Sequence, residues 1–164
     1  MNQVYLGIGS NLQRDRHINA GVNELRKMFT CLELSSVYES EAVGFKGHRF
    51  YNMAIGFHTA MMLADLADRL REIEYKYGRQ MNTKVFGNRH LDIDILTFGD
   101  WNGEFFGIKL PRPEITENAY VLAPLAEIAP HRRLCFGELS YSELWQQFDK
   151  STQKLWKVEF LFAG

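Results

Sequence analysis

Two aspartates on one short stretch are the residues best placed to do chemistry. In Leu91-Asp-Ile-Asp-Ile95 apolar and acidic positions alternate. Alternation is the period of a β-strand, whose successive side chains point to opposite faces. Leu91, Ile93 and Ile95 are therefore predicted to face a core. Asp92 and Asp94 share the other face, with Cα atoms roughly 6.5–7 Å apart. Two carboxylates held that close repel unless they share a cation or a proton. Hard oxygen ligands suit Mg²⁺, which is held by one or two carboxylates together with substrate phosphates. Arg89, just before the pattern, adds a planar fork that matches phosphate oxygens. A solvated strand face is the common explanation of an Asp-x-Asp pair. Here Gly87-Asn-Arg-His90 and Thr97-Phe-Gly99 bound the strand. It must be short, with its acidic face near loops, where functional groups gather.

The elements that must position this pair can be read in order. Val4, Leu6 and Ile8 alternate with Gln3, Tyr5 and Gly7, which predicts a first strand ending in the turn Gly9-Ser-Asn11. Asp15 is the expected cap of a helix whose buried stripe is Ile18, Val22, Leu25 and Phe29. A second strand is expected over Leu32 to Tyr38, then a loop with Gly44 and Gly47. A third strand runs from about Phe50 to His58, with Met53, Ile55 and Phe57 on one face and Phe50, Asn52 and Ala54 on the other. An aromatic two residues from an Asn could form a flat, hydrogen-bonding platform for a heterocycle. Leu63, Leu66, Leu70, Ile73 and Tyr77 mark a second helix. Asp65/Arg69 and Glu72/Lys76 are placed to pair on its exposed side, and Gly78 should stop it. The segment Arg79 to Phe86 carries Arg79 and Lys84 without any periodicity.

Beyond the acidic strand, Asp100-Trp-Asn-Gly103 is a hairpin signal, and Phe105, Phe106, Ile108 and Leu110 return the chain. Glu117 to Leu125 reads as a short helix. Ser140-Tyr-Ser-Glu143 is a capping box for a helix bearing Leu144 and Phe148. Trp156, Val158, Phe160 and Phe162 predict a last strand. The order is β α β β α β with an appended hairpin, C-terminal helix and strand. That is an α+β fold with a ferredoxin-like core.

Bulk properties narrow the function classes. A chain of 164 residues with 46% apolar and 13% aromatic content can bury a core as a single domain, 1–164. The net charge of −1 argues against binding nucleic acid through bulk charge. No run of 18 apolar residues predicts a membrane span, and the N-terminus lacks the basic region of a signal peptide. Cys31 and Cys135 match no metal spacing; two buried thiols in a reducing cytoplasm are expected.

Taken together, the chain resembles the 6-hydroxymethyl-7,8-dihydropterin pyrophosphokinase family. The markers stand in order: Ile8-Gly-Ser-Asn-Leu12, Ser36-Val-Tyr38 leading to Gly44, Phe50-Tyr-Asn52, Ile73-Glu74 with Gly78-Arg79, Gly87 through Leu96, Leu110-Pro111, and Val121 through Pro130. The resemblance implies transfer of pyrophosphate from ATP to a pterin alcohol, by a monomeric cytoplasmic enzyme of folate biosynthesis. It implies Asp92 and Asp94 as ligands of two Mg²⁺ ions, and Arg79 and Arg89 as phosphate contacts. Asn52 would bond the pterin edge, Phe50 and Tyr120 would sandwich its ring, and Ser40 and Val43 would line its pocket. Glu74 would lie near the nucleotide. Several positions depart from the family pattern. Arg112 stands where the family has a His after Leu-Pro, so a phosphate contact passes to an Arg. Glu114 stands near a usual basic position, Asn118 replaces an Arg, and Met81, Phe86 and Asn88 replace an Arg, a Trp and a Pro. A different class of function follows if these departures matter, namely a pterin-binding paralogue with lost or altered kinase activity. A third reading starts from His90-Leu-Asp92, which could open a 2-His-1-carboxylate iron site.

Overall fold

The computed structural model describes residues 1–42, 47–78, 90–134 and 137–164. Along the chain lie β1 (Asn2–Ser10), α1 (Arg14–Met28), β2 (Glu33–Leu34), β3 (Val37–Ser40), β4 (Phe50–Thr59), α2 (Leu63–Lys76) and β5 (Asp92–Phe98). Then follow β6 (Gly103–Phe105), β7 (Ile108–Leu110), α3 (Glu114–Glu117), α4 (Ala119–Ile128), α5 (Tyr141–Gln147) and β8 (Leu155–Val158). The main sheet is antiparallel in every pair, in the order β5-β1-β4-β3-β8, with β2 also on β4. The mixed α and β content with an antiparallel sheet is the α+β class.

Each face of the sheet has its own core. Leu6, Ile8, Met53, Ile55, Phe57, Ile93 and Ile95 pack under the stripes of α1 and α2, as the alternation predicts. Removing these side chains from water is the main stabilising term, at about 25 cal/mol per Å² of apolar surface. The opposite face is covered by α3, α4 and α5 through Ile115, Leu122, Leu125 and Tyr141, which meet Tyr5 and Leu96. Asp92, Asp94 and Asn52 lie on this second face, beside its cover.

Several elements differ from expectation for local reasons. The strand expected over Leu32 to Tyr38 is split into β2 and β3. At the break the Ser35 hydroxyl accepts the Ala54 N–H at 2.8 Å, and the Ser36 N–H turns away to the Glu127 carboxylate at 3.1 Å. The last strand stops at Val158 because its partner β3 begins opposite it, at Val37. Phe160 and Phe162 still pack on the core, and Ala163 bonds Asn19 and Asn23 of α1. Asp15 does not cap α1; Gln13 precedes that helix in a left-handed conformation, and Asp15 sits in the first turn. There its charge complements the helix dipole instead.

The expected pairs along α2 are also rearranged. Arg69 approaches Glu72 at 3.9 Å, whereas Lys76 reaches across to Glu24 of α1 at 2.8 Å. Asp100-Trp-Asn-Gly103 does not close the hairpin. The two-residue turn is Phe106-Gly107, with φ of 53° and 77°, between β6 and β7. In place of one helix over Glu117 to Leu125 there are α3 and α4. The capping box is formed as expected, with Ser140 and Glu143 bonding reciprocally at 3.1 Å. Cys31 is exposed rather than buried, in a turn at positive φ; Cys135 lies outside the described residues. No helix among the described residues is long and apolar enough to cross a membrane.

Candidate active site

The register of the sheet sets the site. Residues directly opposite in an antiparallel pair share a face. Asp92 stands opposite Gly9, Gly9 opposite Asn52, and Asn52 opposite Tyr38. One step along, Asp94, Gly7 and Ala54 make a parallel row. Two glycines therefore leave a bare strip of backbone between the acidic pair and Asn52. A Cβ at Gly9 would sit 2.5 Å from Asn52 Oδ1, so any larger residue would push the Asn52 amide aside. Glycine here serves close approach, not a turn.

Above the strip stands a cleft of about 70 Å³ whose walls include Asp92, Asp94, Asn52, Arg112, Glu114 and Tyr120. Arg112 is anchored to the edge strand β5: its backbone N–H donates to Leu96 O at 2.8 Å and its Nε to Ile95 O at 3.1 Å. That leaves Nη2 3.8 Å from Asp94 Oδ1. Asn118 donates to the Tyr120 hydroxyl at 3.1 Å. Asn118 thus steadies the aromatic two positions on. Ser40, opposite Phe50 on the same face as Asn52, is 5% exposed, and its hydroxyl has no hydrogen-bond partner among the described residues.

A second cleft, of about 560 Å³, runs along the outer edge of β5. One wall is α2, with Ala67, Leu70, Arg71 and Glu74; the other is the β6–β7 arm, with Phe106, Gly107 and Ile108. Asp92, Asp94 and Arg112 line this cleft as well, so the two spaces meet at the acidic pair. Glu74 is 4% exposed and accepts the Ile93 N–H at 2.9 Å. A carboxylate brought from α2 therefore holds the backbone between the two aspartates. A further cleft of 740 Å³ lies at the start of α1. Its Arg14 and Arg49 are paired with Glu39, at 2.6 and 3.7 Å, and the acidic pair is not part of it.

The electrostatics of the pair favour a cation. Burial of the carboxyl pushes Asp94 well above the ordinary carboxylate range; the Asp92 and Glu114 charges add to this, and Arg112 opposes it. Glu114 Oε2 is itself buried, with no hydrogen-bond partner among the described residues. Asp94 nevertheless keeps 41% of its side-chain surface, so an ion from solvent can reach it. Repelling carboxylates with an open approach fit a hard divalent cation, which relieves the repulsion that otherwise retains a proton.

Of the residues expected from sequence, Asp92, Asp94, Asn52, Arg112 and Tyr120 converge on one cleft, and Glu74 lines the adjoining one. Phe50 is two residues from Asn52 on the same face but outside the cleft wall. Arg79, Arg89 and Val43 lie outside the described residues. The iron-site reading of His90 does not survive. His90 precedes β5, and its ring packs edge-on to His17 of α1, with centroids 5.2 Å apart, and against Gly78. Among the described residues no group of three His, Cys, Asp or Glu is arranged to hold a metal. Sequence reading missed the bare Gly7/Gly9 strip, although Gly-x-Gly within a strand was its signal. It expected the returning arm of Phe105 to Leu110 but not its turn at Phe106-Gly107.

By fold and site this is an α+β protein with paired carboxylates at the meeting of two clefts. Residues 5–130 match the family model described as 7,8-dihydro-6-hydroxymethylpterin-pyrophosphokinase, and the chain belongs to that family. It is 34% identical over 131 residues to the 2-amino-4-hydroxy-6-hydroxymethyldihydropteridine pyrophosphokinase of Bacillus subtilis, covering 77% of this chain and 78% of that protein. The Aquifex aeolicus protein of the same name is 32% identical over 133 residues, covering 80% and 82%. Among solved structures, the wild-type Plasmodium falciparum HPPK-DHPS with STZ-DHP superimposes with a TM-score of 0.69 at 12% identity. That match covers 89% of this chain and 43% of the longer one, and at this identity it speaks to fold alone.

Proposed function

We propose that this chain transfers pyrophosphate from ATP to the hydroxymethyl group of a 7,8-dihydropterin in folate biosynthesis, releasing AMP. The observation that carries the reading is the meeting of the two clefts at Asp92, Asp94 and Arg112. A donor in one cleft and an acceptor in the other would face each other across the acidic pair. Holding two reactants so lowers the barrier by removing the entropy of encounter.

The inner cleft suits the acceptor. Asn52 presents its amide to the edge of a flat ring lying over the glycine strip. Tyr120, steadied by Asn118, covers one side of that ring, and Phe50 is the candidate for the other. The buried Ser40 hydroxyl, without a partner among the described residues, offers a further hydrogen bond. The outer cleft suits a nucleotide, with apolar Ala67, Leu70 and Ile108 separated from the ionic end at Arg112. Arg112 takes the phosphate role of the family His; its anchored guanidinium can follow charge as it develops on the transferred group. Arg79 and Arg89 are assigned the same role on the resemblance. Asp92 and Asp94 would hold Mg²⁺, two ions on the resemblance, which neutralises the triphosphate and favours the attacking alkoxide. The strand order β5-β1-β4-β3 with α1 and α2 on one face supports the ferredoxin-like plan for the core. One continuous sheet shared by both cores supports a single domain.

The test is magnesium-dependent AMP release from ATP with the dihydropterin alcohol at high enzyme concentration; no release would sink the assignment. A second reading, a pterin binder without kinase activity, is favoured by the proximity of Arg112 to Asp94, which ties the expected phosphate donor to a carboxylate. Tight pterin binding beside undetectable binding of a non-hydrolysable ATP analogue would select it.

A further inference from the structure

Phe106 is anomalous twice over. It is 71% exposed, and it holds φ at 53°. A bulky side chain in the left-handed region is a backbone outlier, normally left to Gly, Asn or Asp. Neither exposure nor strain stabilises the fold, and an outlier of this kind points to use. The arm beneath it is firmly held. The Trp101 ring packs edge-to-face on Phe98 and tilted against Phe105, with centroids 5.1 and 4.9 Å apart, and Leu110 is 2% exposed. A rigid arm thus carries a ring to the wall of the outer cleft, beside Gly107 and Ile108 and across from Ala67 and Leu70 of α2. Charged Asp92, Asp94 and Arg112 lie elsewhere in the same cleft.

We propose that Phe106 is a specificity-determining residue for the nucleotide: its ring stacks on the purine base of ATP in the outer cleft. The proposal rests on the nucleotide reading of that cleft given above. An aromatic face recognises a flat base through its π-surface and excludes water from it. Because the arm is already ordered, little freedom is lost when the base arrives. A ring held this way separates an adenosine triphosphate from a bare polyphosphate, which the ionic end alone would not do.

The experiment is calorimetric titration, with Mg²⁺ present, of a non-hydrolysable ATP analogue and of inorganic tripolyphosphate. Wild type is compared with Phe106→Ala, Phe106→Asn and Phe106→Tyr. The asparagine variant removes the ring while suiting the turn, so a loosened arm cannot mimic the effect. Expected is an analogue affinity about ten-fold weaker for the alanine and asparagine variants and near wild type for tyrosine. Tripolyphosphate should bind all four alike. Equal analogue affinity in wild type and Phe106→Asn overturns the stacking role while leaving the nucleotide cleft intact. Equal losses for analogue and tripolyphosphate overturn it too, since the ring would then act on the ionic end. Failure of wild type to bind the analogue removes the reading of the cleft itself, and this proposal with it.

Discussion

At the scale of single residues, the acidic pair is a trade between stability and chemistry. Asp94 stands beside Asp92, with Glu114 adding to the repulsion. Asp94→Asn removes charge without changing shape. The expected outcome is loss of magnesium-dependent AMP release by at least about 100-fold, with thermal stability of the metal-free protein unchanged or raised. A melt run beside the activity assay checks both; a collapse of the fold with the activity would point to a structural role instead. Gly9 gives the opposite trade. Gly9→Ala forces a methyl against Asn52, at a cost of about 1–3 kcal/mol for an overpacked site. Pterin affinity should fall with it while nucleotide affinity holds, and paired titrations with a urea melt would read the difference.

Among the secondary-structure elements, what could be read from sequence was whatever depends on period. The stripes of α1 and α2, the alternation of β1, β4 and β5 and the capping box of α5 are local, and local patterning specified them. What could not be read depended on partners distant in sequence. The break at Ser35-Ser36 exists because Glu127, on α4, accepts the Ser36 N–H. β8 ends where β3 offers nothing further to pair with. Phe106-Gly107 closes a hairpin against residue preference, and a stronger-looking Asn-Gly signal nearby drew the turn to the wrong place. In the site, Asp92, Asp94 and Asn52 were legible because strand alternation fixes their face. That Arg112 lies along β5 and joins two clefts was not, since the Arg112 side-chain bond to Ile95 O spans 17 residues.

The contact between α1 and α2 gives a prediction at this scale. Glu24 accepts from Lys76 at 2.8 Å and from the Tyr77 hydroxyl at 3.0 Å. The Lys76 hydrogen bond, helped by Tyr77 and Lys27, holds its carboxyl below the ordinary range against the opposing effect of burial. A lowered folded-state pKa contributes stability above the unfolded value and loses it as pH falls through the folded value. Wild type should therefore lose stability from pH 6 to pH 3 more steeply than Glu24→Gln. The difference should be only about 0.5 kcal/mol, because the lysine partner is solvated. Urea midpoints at the two pH values would show it; parallel acid profiles would remove the pair from the account.

For the whole molecule, the two helical layers are joined by one sheet, and the clefts sit where that sheet meets its α3–α5 cover and its arm. Ligands that bridge the clefts should stabilise the fold as a unit. With Mg²⁺ and an ATP analogue at about 100 times their dissociation constant, linkage predicts about 2.7 kcal/mol of added stability. A chelator should abolish it, and differential scanning calorimetry would measure both. Stabilisation by the analogue without Mg²⁺ would contradict the role given to the acidic pair.

The position of β5 at the end of the strand order has a consequence of another kind. An edge strand presents unpaired backbone groups that invite a strand from another molecule. Here the Glu74 carboxylate takes up the Ile93 N–H, the Arg112 Nε takes up the Ile95 carbonyl, and the Arg112 backbone N–H takes up that of Leu96. The two charged side chains that face the clefts are thus also guards against self-association. Replacing either one frees a backbone group on the edge of the sheet, so an inactive Glu74 or Arg112 variant has to be separated from an aggregated one before its kinetics are read.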